Sequence, residues 1–397
     1  MVNFLIGIFG VYVFIKILLE IREVLYIKDV FGLGAVLMDI ETYKDAAIYS
    51  IYKHTLNIFN SLISLFLVVF WLSGGLFIIN FLFYKEDSLI SELEILLAFF
   101  VVNYLMTFPI NIWEKHIDKK FGFNVAPWSM FFVDEIKKIF LFIILGGVFF
   151  LGLIYFIENF KNWWLLGFVF TFGVVILINL FYPFFAAMFN KFTPLEDEEL
   201  KDAIEEMMHK VGFKSSGIYV MDASKRDTRL NAYFAGFGKT KRVVLFDTLL
   251  KKLTKDEILA VLGHELGHFK HKDIFKNIAV VGIMLFVLFA IFGNLPDTLF
   301  KELMVPKIGA NIVILALLFS EVIFFIFQPF VNLISRHNEF AADKTGSELV
   351  NRKALVSALK KLVNENKHFP RVSKLYSFIF YSHPPILERL EKLENEK

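Results

Sequence analysis

Seven long apolar runs constrain this chain more than any other feature. They fall near 2–20, 56–84, 89–111, 138–157, 163–189, 273–295 and 308–334, and about 20 apolar residues suffice to cross a bilayer as a helix. Hydrocarbon offers no water to satisfy backbone N–H and C=O groups, so the crossing segments must bond internally. The expectation is a mainly α chain of seven membrane helices. Composition agrees: 56% of the 397 residues are hydrophobic and mean hydropathy is +0.59, well above a soluble domain. The first run is apolar apart from Asn3 and Lys16 and has neither a basic leader nor a small-residue cleavage site before Glu20. It therefore reads as a retained span rather than a signal peptide. Glu92 and Glu94, near the start of the third run, are expected at the interface.

Basic residues orient the bundle. With an external N-terminus, the inner loops hold Arg22, Lys28, Lys44, Lys53, Lys115, Lys119, Lys120, Lys137 and Lys138, against Lys85, Lys161, Lys301 and Lys307 outside. The asymmetry predicts N-out and C-in, which puts 190–272 and 336–397 together on the cytoplasmic side. Pro109, Pro183 and Pro329 fall near the inner ends of inward-running spans, where each frees a carbonyl and marks either a kink or a cavity. Lys16, Lys276, Asn103 and Glu321 are polar groups in or at the ends of spans. They are expected to face the bundle interior or a cavity, except that the two lysines are expected to snorkel.

Between the fifth and sixth spans lies Gly263-His264-Glu265-Leu266-Gly267-His268. Thr254 and Glu257 form a capping box ahead of the apolar-periodic Ile258, Leu259, Val261 and Leu262, so the motif falls within a predicted helix. There, His264 and His268 share one face and Glu265 sits beside them, an arrangement that binds zinc and activates water. With no Cys in the chain, any zinc ligand is His, Asp or Glu. Two histidines need a third ligand. The best candidate is Glu339, just after the last span, with Asp343 one turn on to accept the free N–H of a liganding imidazole. His337 is a rival that points away from the Glu339 face.

Other segments say less. His383, followed by Pro384 and Pro385, fits the cap of a helix with Pro384 at its first position, where a rigidly held ring can stabilise an oxyanion. Arg242 to Phe246 suits a short buried strand, to whose sheet an extended peptide can add. Glu196 to Lys214 reads as a solvated amphipathic helix and Asp222 to Arg229 as a charged, solvated loop. A net charge of +2 with no dense basic block argues against a nucleic-acid partner.

The HELGH motif, the EFAAD segment at Glu339–Asp343, His383-Pro384-Pro385-Ile386-Leu387-Glu388-Arg389 and the stretch from Asn231 to Leu250 together resemble the type I CAAX prenyl protease family of membrane zinc endopeptidases. Glu114-Lys115-His116 and Phe121-Gly122-Phe123-Asn124 extend the resemblance, with an apparent insertion between them. The heat-shock membrane metalloproteases share the zinc motifs, but only over the catalytic half and with fewer spans. The resemblance implies a seven-helix bundle enclosing a chamber, with a zincin-like domain and a small β-sheet on the cytoplasmic side. It implies one Zn2+ on His264, His268 and Glu339, with Glu265 as base and Asp343 behind the ligands. His383 and Arg389 would lie near the scissile bond, and Asn231 and Ala232 along the substrate.

The implied organisation is five spans in 1–189, a catalytic segment 190–272, two spans in 273–335 and a second catalytic segment 336–397. The expected partners are a peptide or prenylated peptide and the lipid bilayer. The membrane would be the plasma or inner membrane, or the endoplasmic reticulum in a eukaryote. Two other readings stay open: a quality-control protease cutting misfolded membrane proteins, and a transporter or lipid-handling protein with structural zinc.

Overall fold

The computed structural model describes residues 1–236 and 241–395; Phe237 to Thr240, part of the stretch quoted above, lie outside the described residues. Seven helices are long and apolar enough to cross a membrane. The first is α1 (Val2–Phe31). The second combines α2 (Ile40–Phe70) and α3 (Leu76–Phe83), joined by a π-helical turn at Trp71–Gly75, and the third is α4 (Leu89–Lys120). The fourth, α5 (Trp128–Leu141) and α6 (Gly147–Asn159), has a similar turn at Phe142–Gly146, and α7 (Trp163–Ala187) is the fifth. All three interior prolines sit inside continuous helices.

The next segment, on the side where α7 ends, begins with β1 (Phe192–Pro194), α8 (Glu198–Lys210) and β2 (Ile218–Met221). It continues through β3 (Ala232–Ala235), β4 (Arg242–Phe246), α9 (Asp247–Lys252) and α10 (Lys255–Lys270). The sheet order is β1-β2-β4-β3, with β2 and β4 parallel and β3 antiparallel at one edge. The apolar face of α8 (Leu200, Ile204, Met207) joins Val243, Leu245, Ile258 and Leu262 in one core. The chain recrosses as α11 (Asp273–Phe292), makes the short α12 (Asp297–Glu302) and returns as α13 (Gly309–Leu349). It ends in α14 (Arg352–Glu365), α15 (Lys374–Phe380) and α16 (Ile386–Asn395).

The half of the bundle away from this domain has a solid core built on Phe9, Trp71, Leu76, Ile95, Ile154 and Ile314. Only Glu135 of α5 and only Gly167 and Pro183 of α7 are buried.

Several expectations change. Glu92 is buried and accepts the N–H of Ala310 at 2.7 Å, capping α13, because a carboxylate at a helix N-terminus meets both free N–H groups and the helix dipole. Lys276 has fixed partners, with Asp273 and Asn338 holding it at 2.7 and 3.0 Å. Lys16 donates to the Tyr12 hydroxyl at 3.3 Å. The segment Asp222–Arg229 is fixed by charge, with Arg226 on Asp134 and Arg229 on Asp227 and Asp118. α16 starts at Ile386, two residues beyond the expected first position Pro384, and the Pro385 carbonyl accepts the N–H groups of Glu388 and Arg389.

Candidate metal centre

The capping box fixes the start of α10: Thr254 N–H donates to Glu257 at 2.8 Å and Glu257 N–H to the Thr254 hydroxyl at 3.4 Å. Glu257 also accepts from Ser357 at 2.6 Å and Lys361 at 2.7 Å, tying α10 to α14. Small residues then let α10 and α13 touch backbone to backbone. A Cβ on Gly267 would come within 2.7 Å of Ala342 Cα, and one on Gly346 within 2.8 Å of His264 N. That closeness brings the face of α13 carrying Glu339 and Asp343 against the two histidines.

Ligand atoms of His264, His268 and Glu339 all lie within 4.8 Å of one another. The two Nε2 atoms are 3.2 Å apart, His268 Nε2 is 3.2 Å from one Glu339 oxygen, and His264 Nε2 is 3.5 Å from the other. Zinc bonds of about 2.0–2.1 Å in a tetrahedron make ligand edges of roughly 3.3–3.4 Å, so the donor set has zinc dimensions. Glu339 Oε2 is buried without a hydrogen bond, although His383 Nδ1 lies 2.9 Å away. The three atoms suit a small divalent cation.

Each imidazole is oriented from behind. His264 Nδ1 is 2.8 Å from Asp343, and His268 Nδ1 is 2.9 Å from Asp273. With N–H on both Nδ1 atoms, both Nε2 lone pairs face the common centre. Burial alone would depress the His268 imidazole, but its hydrogen bonds to Glu339 and Asp273 outweigh burial and push it up to about 9. The surroundings demand positive charge at this point. Glu265 is half-buried beside His264, and among the described residues none donates a hydrogen bond to it.

Arg389 grips Asp343 through two hydrogen bonds of 2.8 and 2.6 Å and lies 3.5 Å from Glu339. Its side chain is only 11% exposed, against 65% for His383. Arg389 therefore stands behind the candidate ligands, while His383 is exposed beside Glu339. Asn231 immediately precedes the edge strand β3, and Ala232 begins it. The strand packs on α10 through Phe234, Phe213 and Phe269, with ring centroids 4.7–4.8 Å apart. His337 is exposed and outside the cluster.

Two groups of residues had no signal in the sequence reading. Asp273 lies beyond the end of α10, where the sequence marks only its partner Lys276, as a polar group at a span end. The second group holds α15, the strut before His383. The backbone N–H of Ser373 donates to Glu23 at 3.1 Å, Tyr376 OH to Glu20 at 3.1 Å, and Arg336 to the carbonyls of Ser377 and Tyr381 at 2.8 Å each.

Residues 194–397 match peptidase family M48, and residues 34–191 match the CAAX prenyl protease N-terminal domain, described as five membrane helices. The mouse CAAX prenyl protease 1 homolog is 32% identical over 91% of this chain and 88% of its own length. CAAX prenyl protease 1 of Saccharomyces cerevisiae is 34% identical over 74% of this chain and 70% of its own. The crystal structure of S. mikatae Ste24p superposes with a TM-score of 0.89 at 28% identity, covering 98% of both chains.

Proposed function

This chain belongs to the CAAX prenyl protease 1 family of M48 peptidases, membrane metalloproteases, and from that premise we propose that it binds one zinc ion through His264, His268 and Glu339 to cut the C-terminal tail of prenylated, membrane-delivered proteins. The observation that carries the reading is the set of three ligand atoms at zinc spacing, on a seven-span bundle. Held by these three residues, zinc would supply Lewis acidity and make a water nucleophilic at neutral pH. Glu265 takes the proton of the attacking water and gives it to the departing amide nitrogen. His383, exposed across from Glu339, donates to the carbonyl oxygen as charge develops. Asp343 and Asp273 hold the imidazoles in the right tautomer, and Arg389 holds Asp343. An extended substrate adds to the free edge of β3 at Asn231 and Ala232.

The loop charges favour a cytoplasmic site with the N-terminus outside. Functionally the chain divides into five spans (1–189), a catalytic segment (190–272), two spans (273–335) and a second catalytic segment (336–397). The decisive experiment uses Glu265→Gln, purified and assayed by mass spectrometry on farnesylated and unprenylated forms of one CAAX peptide, with and without a chelator. The variant should keep stoichiometric zinc and lose cleavage, and wild type should prefer the farnesylated form. Wild-type rates from Glu265→Gln would sink the mechanism, and equal chelator-sensitive cleavage of both peptides would sink prenyl specificity.

A further inference from the structure

α4 and α5 both line a groove of about 940 Å3. Seven alternating crossings put its polar end, near the C-terminus of α4 and the start of α5, on the same side of the membrane as the metal centre. The other end is apolar. Leu97, Val101, Ile139 and Phe142 line it, and each remains at least 39% exposed, so its wall is continuous with the lipid-facing surface.

At the polar end one lining cation has no carboxylate of its own. Each carboxylate lining the groove already meets a cation: Glu114 meets Lys53, Asp134 meets Arg226, Glu135 meets Lys138, and Asp118 shares Arg229 with Asp227. Lys115 is left over. It lines the groove, is only 5% exposed, and among the described residues has no carboxylate or hydrogen-bond acceptor. Its ammonium lies over the rings of Trp128 and Phe131, at 5.3 and 5.0 Å from their centroids. Such contacts return about 0.5–2 kcal/mol each, against several kcal/mol for taking an ammonium out of water. An anion entering the groove would add the direct charge partner that the rings do not provide.

We propose that this groove binds a membrane phospholipid of net negative charge, its phosphate on Lys115 and one acyl chain along the apolar walls of α4 and α5. Three features select that occupant. Lys115 is the one lining cation without a carboxylate partner among the described residues, so a headgroup phosphate supplies the partner it lacks. The cation lies near the end of a span, at the depth of headgroups, where basic pockets between membrane helices take anionic lipids. The apolar end opens to the bilayer, which a free anion would leave unfilled. The lipid then completes the wall where α5 has almost no buried side chains of its own.

Native mass spectrometry of the full chain, stripped of lipid in detergent, tests the assignment with dioctanoyl phosphatidylglycerol and dioctanoyl phosphatidylcholine as probes. Wild type should bind one phosphatidylglycerol in clear preference to phosphatidylcholine, a comparison that needs no variant. Lys115→Met should weaken that binding about tenfold or more, whereas Lys115→Arg and Lys161→Met, the latter in a loop outside the groove, should retain it. Equal binding of the two lipids, or unchanged binding by Lys115→Met, would overturn the proposal. One-for-one displacement of phosphatidylglycerol by a farnesylated peptide would also overturn it, by giving the groove to substrate.

Discussion

Asp273 is both the first residue of a membrane helix and the partner of His268 Nδ1, and Lys276 neutralises its second oxygen. Removing its charge weakens the field that orients His268 and favours a cation at the centre. Asp273→Asn should therefore lower zinc affinity about 10–100-fold while leaving helical content intact, as read by competition with a chromophoric chelator. Wild-type affinity would remove Asp273 from the machinery. The contrast with Asp343 explains what sequence could reveal. Glu339 and Asp343 stand four apart on one helix, so their shared face follows from periodicity alone. Asp273 stands five residues after His268, past the end of α10, and the left-handed Lys272 (φ 56°) turns it back. Spacing carries no trace of that turn.

Among the elements, α10 and α14 meet through Glu257. Burial pushes the Glu257 carboxyl up, but the hydrogen bonds from Lys361, Ser357 and the Thr254 backbone prevail and hold it at about 2. An unfolded glutamate carboxyl titrates near 4.5, so the group favours the folded state by about 3 kcal/mol at neutral pH. That contribution is full above about pH 4.5 and fades as pH falls towards 2. Glu257→Gln should lower the melting temperature in detergent at neutral pH, with the gap to wild type narrowing near about pH 3. A gap independent of pH would mean the carboxylate acts by shape alone. Thr254 and Glu257 announced the start of α10 in the sequence because a capping box is local. The contact of Gly263 and Gly267 with Ala342 and Gly346 was not legible, since nothing local says which helix a small residue will meet. His383 shows the limit from the other side: two prolines signal a helix start, and the start lies at Ile386.

At the scale of the molecule, the apolar runs gave the number of spans but not their lengths, because hydropathy ends where the bilayer ends and the helices do not. Glu20 and Glu23 lie past the first run yet are buried in α1, holding α15. α13 continues from the last run through Glu339 and Asp343 without a break. Its first N–H groups are fastened at the opposite side of the bundle, Gly309 to Glu158 and Ala310 to Glu92, each at 2.7 Å. Thirty residues of helix, roughly 45 Å, separate that fastening from Glu339, against about 30 Å of hydrocarbon. In mechanical terms α13 is a tie rod, anchored at one face of the membrane and carrying a metal ligand at the other. A bilayer that is too thin or too thick must tilt or bend the rod, or deform around it. Turnover of a water-soluble peptide should then pass through an optimum across vesicles of short-, medium- and long-chain phosphatidylcholines. A flat profile would mean the rod slips without moving its ligand.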